Sequence, residues 1–146
     1  MDTVSLQKYA ELIRQASLRQ NLLSRRDLIR LETRHIQDCM ELLNIKNFKQ
    51  TGSLADIGSG SGLPGLVLAM SCPELRVSCI ESESNKCKFM EQVIAELKIV
   101  NAATVWNRAE ILGHDPNFRE IFNQICLRAC ADWPIALELA APLLKT

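Results

Sequence analysis

Acids and glycines that could hold a ligand gather between positions 53 and 81. The stretch Ser53-Leu54-Ala55-Asp56-Ile57-Gly58-Ser59-Gly60-Ser61-Gly62-Leu63-Pro64-Gly65 runs from apolar residues to a carboxylate, then alternates glycine with serine. Leu66 to Met70 resume an apolar pattern. Such a string predicts a strand, a tight turn and a helix that opens over a bound molecule. Glycine takes positive φ and lets the backbone approach a ligand, and Pro64 suits the first helical position, where its missing N–H costs nothing. Glu81 follows Gly62 by nineteen residues. At the end of a second strand its carboxylate can accept hydrogen bonds from both hydroxyls of a ribose.

Two glycine patterns overlap in this turn. Gly60-Ser61-Gly62-Leu63-Pro64-Gly65 matches G-x-G-x-x-G, the fingerprint of dinucleotide sites, and Asp56 to Gly62 matches D-x-G-x-G-x-G, the first motif of S-adenosylmethionine (SAM) methyltransferases. The charge of Asp56 favours the second. A dinucleotide would bring a pyrophosphate to the helix N-terminus, and a carboxylate at the strand end repels it. SAM carries an ammonium and a sulfonium instead. Glu81 serves either cofactor.

The elements that must position these residues follow from periodicity. Residues 4–20 read as a helix with Leu6, Tyr9, Ala10, Ile13, Ala16 and Ser17 on one face. Ser24, with Asp27 three residues on, reads as an N-cap. A second helix then runs to about Leu43, with Leu28, Leu31, His35, Cys39 and Leu42 on a stripe and Asp38 beside His35. Residues 47–52 form a polar linker. Strands and helices then alternate: strands at 54–57, 76–80, 103–106 and 121–127, and helices at 64–71, 85–98 and from Asp132, the last with Ile135, Leu139 and Leu143 inward. The expected fold is α/β, a Rossmann-like parallel sheet covered by helices, as residues 51–146 behind a helical extension at 1–50.

Composition narrows the class. An apolar fraction of 47% and a charged fraction of 23% belong to an ordinary globular chain. No run approaches the roughly 20 apolar residues of a membrane span. Asp2 and a mixed helix at the N-terminus do not form a signal pattern, so a cytoplasmic protein is expected. The six cysteines include no C-x-x-C pair and only His35 and His114 could join them. Buried, reduced thiols and no metal are the expectation. Formal net charge is zero, but residues 1–50 carry nine Lys/Arg against six Asp/Glu and residues 51–146 carry eight against eleven. A basic N-terminal part could face a polyanion.

The chain resembles the small-subunit ribosomal RNA guanine-N7 methyltransferases, the glucose-inhibited division protein B family, from about Asn21 to Lys145. The resemblance rests on Asn21-Leu22, Arg34-His35-Ile36 with Asp38, Asp56 through Gly65, Glu81-Ser82, Lys86-x-Lys88-Phe89, Arg108-Ala109-Glu110, Arg128-Ala129 and Ala140 to Lys145. The Gly-Leu-Pro-Gly extension and Arg34-His35 are its specific parts. It implies SAM as cofactor, contacted by Asp56, Gly58, Gly60 and Leu63 at the turn, Glu81 at the ribose, Ala109 and Glu110 at the adenine, and Arg128 past strand four. It implies methyl transfer to N7 of a guanine in 16S ribosomal RNA, with that RNA or the small subunit as partner. Guanine N7 carries an in-plane lone pair and no proton, so no general base is expected. Arg128 and His35 are the candidates for a catalytic contact, and Arg34, Lys86 and Lys88 for RNA phosphates, with Arg25, Arg26 and Arg30 beside them. No Asn-Pro-Pro-aromatic motif follows strand four, which argues against adenine-N6 or cytosine-N4 as target.

Departures from the pattern fall on the substrate side: Ala16-Ser17 for a Trp-Asn pair, Leu23 for Thr, Asn123 for Asp, and Cys130 for an aromatic. Family members continue into about three further strands. A chain ending at Thr146 is expected to be a truncated member that leaves strand four an open edge, and to be a monomer unless that edge pairs. A non-catalytic SAM- or RNA-binding module, and an NAD(P)-dependent oxidoreductase, are the alternative readings.

Overall fold

The computed structural model describes residues 3–128 and 131–146. Asp2, Ala129 and Cys130, named above, lie outside the described residues. Four parallel strands form one sheet in the order β3-β2-β1-β4: β1 Gly52–Ile57, β2 Leu75–Glu81, β3 Ala102–Trp106 and β4 Gln124–Leu127. The register sets Asp56 beside Cys79 and Cys126, so the end of β1 is central and flanked on both sides. Among the described residues β4 pairs with a strand only on its β1 side. Two residues before its start a single bridge joins Phe122 to Leu144. Strand four therefore begins later than the sequence suggests, because Ile121 to Asn123 are held by Ser53 and by Leu143–Lys145 rather than by a continuous ladder.

Side chains alternate across the sheet and divide the core in two. On one face Leu54, Val77 and Cys79 pack against α1 (Thr3–Ser17), α3 (Gln37–Glu41), α4 (Gly65–Ser71) and α5 (Ser84–Glu96). On the other, Ala55, Ile57 and Ile80 meet α6 (Ala109–Leu112), Phe122, Leu143 and α7 (Trp133–Ala140). Tyr9, Ile13 and Leu31 share the first cluster with Leu54 and Leu66, so the helices of residues 1–50 are part of the sheet's own core. Of the three residues expected inward at the last helix, Leu139 and Leu143 pack into this second cluster, whereas Ile135 is 52% exposed and Ala136 is buried in its stead.

The second helix is not continuous. Ser24 caps α2 (Arg25–Ile29), its Oγ accepting from the Asp27 N–H at 3.1 Å. The helix then breaks at Arg30 (φ −105°, ψ 16°) and passes into a π-helix, Leu31–Ile36, before α3. A π-turn holds an additional residue per turn, so the 3.6-residue stripe drawn through Leu28, Leu31 and His35 loses phase there. Leu31 and Cys39 remain buried while Leu28 and Leu42 are only half-buried.

α1 is tied directly to the glycine turn. The Tyr9 hydroxyl, fully buried, donates to the Ser61 carbonyl at 2.8 Å. A buried carbonyl left without its donor costs about 1–3 kcal/mol. Tyr9→Phe is therefore expected to lower unfolding free energy by about 1–2 kcal/mol in urea denaturation at an unchanged m-value. An unchanged midpoint would mean that α1 docks by apolar packing alone.

Candidate functional site

The site is built where β1 ends. From Gly58 the chain leaves the sheet, makes a turn to Pro64 and enters α4; the Leu63–Pro64 peptide is cis. Pro64 stands one place before the helix rather than as its first residue, although its carbonyl accepts from the Leu68 N–H at 3.0 Å. Two glycines are required by space. Gly62 has φ +94°, and a Cβ there would lie 2.5 Å from Leu66 Cδ1 and 3.1 Å from the Tyr9 hydroxyl. A Cβ on Gly65 would lie 2.7 Å from Asp56 Oδ2 and 2.9 Å from Cys79 Sγ. At these two positions the backbone lies too close to its neighbours to carry a side chain.

Two carboxylates hold this turn. Asp56, only 1% exposed, sits beneath it. Its Oδ2 accepts from the Ser59 hydroxyl at 2.6 Å and from the Gly65 N–H at 2.9 Å, while Oδ1 has no partner. Its charge thus acts on the turn's own donors, from a position enclosed by protein. Glu81, 6% exposed, reaches the turn from β2: Oε2 accepts from the Gly60 N–H at 2.8 Å and Oε1 from the Glu83 N–H at 3.0 Å. A carboxylate has about four acceptor sites, so Glu81 keeps acceptor capacity.

The remaining expected site residues separate into two groups. Gly58, Glu81, Ala109 and Glu110 line one cleft, with Ser82, Asn107 and Arg108, in a cavity of about 130 Å³. Gly60 joins it through its bond to Glu81, whereas Leu63 is buried with the core cluster that holds Tyr9 and Leu66. Arg128 lies across the turn, in a cavity of about 690 Å³ lined also by Pro64, Asp38, Cys126, Asp132 and Trp133. There its guanidinium meets His35 Nδ1, and Asp38 Oδ2 is 4.0 Å away. His35 takes Asp27 as its other partner, at 3.1 Å, where the sequence offered only Asp38 as a neighbour.

Of the expected phosphate contacts, Arg34 is exposed, as are Arg25, Arg26 and Arg30. Lys86 is half-buried and paired with Glu83 at 2.8 Å. Lys88 lines a groove between α1 and α5 together with Arg19. Cys39, Cys72, Cys79 and Cys87 are buried free thiols and Cys126 is half-buried; burial pushes Cys39 and Cys126 up to about 12. Among the described residues no group of three His, Cys, Asp or Glu is placed to hold a metal, and no helix is long and apolar enough to cross a membrane. Sequence reading missed Tyr9 and Asp27 as site residues, since each looked like an ordinary core or capping position. Tyr9 lies 52 residues from the carbonyl it binds, and no local signal marks such a contact.

The family model for GidB, rRNA small subunit methyltransferase G, matches residues 2–146. The chain belongs to that family. Ribosomal RNA small subunit methyltransferase G of Desulfitobacterium hafniense is 38% identical over 137 residues, 94% of this chain and 56% of that protein. The Syntrophomonas wolfei protein of the same name is 37% identical over 142 residues, 97% of this chain and 65% of its own. The chain thus spans a little over half the length of these curated relatives. A solved structure of M. jannaschii TYW2 in complex with AdoMet superposes at TM-score 0.62 and 16% identity, over 76% of this chain and 48% of that one. That likeness shows the Rossmann-like fold.

Burial pushes the Asp56 carboxyl up to about 6, against the lowering effects of the Ser59 and Gly65 hydrogen bonds and of Arg128. The folded state then binds this proton more tightly than the unfolded chain, so ionisation opposes folding. The penalty is absent below about pH 4, grows to about pH 6 and is complete above it. Asp56→Asn is expected to remove a fall in stability on the order of 2 kcal/mol between pH 4 and 7. Denaturant melts across that range check it; parallel curves for the two proteins would show that Asp56 is ionised throughout.

Proposed function

We propose that the chain binds SAM over the Gly58–Leu63 turn, and that the protein methylates N7 of a guanine in 16S ribosomal RNA within the small subunit, in the cytoplasm. The observation that carries the cofactor reading is Glu81. It is an almost fully buried carboxylate at a strand end, bonded to the turn and opening on the cleft beside Ala109 and Glu110. That placement suits a ribose on Glu81, an adenine against Ala109 and Glu110, and the methionine part of the cofactor over Gly58, Gly60 and Leu63. Arg128 would approach its carboxylate from the far side of the turn. The names of the relatives support RNA as substrate.

When bound, SAM supplies an electrophilic methyl group. The chain's own residues need to orient the two reactants and exclude water, since N7 has no proton to lose. Catalysis then rests on alignment and electrostatics. Asp56 keeps the turn's backbone in place, and Glu81 fixes the rotation of the nucleoside. Arg34 and Lys88, with the neighbouring exposed arginines, would contact RNA phosphates. Lys86 would do so only on leaving Glu83. The dinucleotide reading is disfavoured, since Asp56 and Glu81 take up N–H groups of the turn that a pyrophosphate would need.

Calorimetry with S-adenosylhomocysteine tests the cofactor, and methyl incorporation into small subunits tests the reaction. Glu81→Ala is expected to weaken binding at least about tenfold, the equivalent of one charged hydrogen bond. NADH titration is expected to show no binding. Absence of heat with S-adenosylhomocysteine at millimolar concentration would overturn the cofactor reading.

A further inference from the structure

Arg128 is held by a directional chain of hydrogen bonds that begins at the cap of α2. Its guanidinium reaches back over the π-helix, where Nη2 meets His35 Nδ1 and Nη1 donates to the His35 carbonyl at 3.4 Å. Arginine only donates, so His35 Nδ1 must carry a lone pair. The single proton of the neutral ring is then on Nε2, which faces Asp27 Oδ1 at 3.1 Å. Asp27 is itself fixed: Oδ2 accepts from the Ser24 hydroxyl at 2.6 Å. Hydrogen bonds to Ser24 and His35 hold its carboxyl below the usual range.

This arrangement exists only because the helix is interrupted. Eight residues of straight α-helix rise about 12 Å, which would separate Asp27 from His35. The break at Arg30 and the π-turn after it bring them together. The side chain of Arg128 remains 30% exposed, beside Pro64 at the far edge of the glycine turn. Cys39 Sγ at 3.6 Å and Asp38 Oδ2 at 4.0 Å complete its contacts. A cation so tied down and still open to a cavity is placed to present its charge rather than to fill a core.

We propose that Asp27 and His35 are positioning residues for Arg128: Asp27 fixes the Nε2–H form of His35, and the bare Nδ1 aims the guanidinium at the carboxylate of the bound cofactor. The proposal rests on the cofactor reading for that last step, and on geometry alone for the rest. Leaving out either residue loosens a long side chain, which keeps only the His35 carbonyl, Cys39 and Asp38, and the lost ordering must then be met on binding.

Two measurements test it. Long-range proton–nitrogen spectra of the whole chain distinguish the ring forms, with His114→Asn assigning the only other histidine. His35 is expected as the Nε2–H form, with Arg128→Met moving its Nδ1 resonance. An Nδ1–H form, or a resonance indifferent to Arg128→Met, overturns the pairing. Calorimetry with S-adenosylhomocysteine then compares variants that melt as the parent does. His35→Leu is expected to bind about tenfold more weakly. His35→Asn, whose amide oxygen occupies the place of Nδ1, is expected to regain most of that loss. Arg128→Met combined with His35→Leu should be no worse than Arg128→Met alone. Equal losses in the Leu and Asn variants, or additive losses in the double variant, overturn the positioning role. If the parent chain binds no S-adenosylhomocysteine, the cofactor reading fails and the spectra still decide the pairing.

Discussion

The enclosed Asp56 carboxylate is the constraint on which the rest of the site depends. The chain must turn from the centre of the sheet into α4 within seven residues, leaving backbone donors without partners at the turn and at the helix start. One side chain at the last turn of β1 answers part of this. It accepts from Ser59 and Gly65, and it can do so only because Gly65 offers no Cβ to keep it away. Enclosing a carboxylate with one oxygen unpartnered is costly, and its raised proton affinity is the visible sign of that cost. Glu81 completes the restraint from the neighbouring strand by taking the Gly60 N–H.

The N-terminal helices belong to the same structure. Tyr9 closes the turn from the α1 side through Ser61, and Leu31 and Cys39 carry the second helical segment into the same core. The π-turn at Leu31–Ile36 brings the far side of the turn within reach of those helices. It sets His35 against Arg128, 93 residues later in the chain. The glycine turn is thereby bordered by two polar clusters: Glu81 with Ala109 and Glu110 on one side, and Arg128 with His35 and Asp27 on the other.

Much of the fold was legible because its signals are local. The alternation of short apolar runs with helical periods marks the four strands and α4, α5 and α7 to within a few residues. The glycine string marks the turn because positive φ and close approach leave few alternatives. The start of α7 was less legible: Leu139 and Leu143 face the sheet as their spacing suggests, but with Ile135, Ala136 and Leu137 all apolar periodicity could not choose among them, and Ala136 is the one buried. The helix drawn from Ser24 to Leu43 failed for a related reason. Nothing in Arg30 or Leu31 announces a π-turn, and packing of Leu31 and Ile36 into the core settles it.

The sequence by itself determined the family, the strand–turn–helix unit and the acids at its two strand ends, since residue type and spacing alone limit what Asp56, the glycines and Glu81 can do. Tertiary structure decided which partners those acids take. It enclosed Asp56 under the turn, bonded Glu81 to Gly60, divided the expected ligand contacts between two cavities, and gave His35 to Asp27 and Arg128 rather than to Asp38 alone. Each of these contacts joins residues whose meeting depends on how β1, β2, β4 and the broken helix pack together. Side-chain partners across such distances are set by three-dimensional packing and leave no periodic trace along the chain.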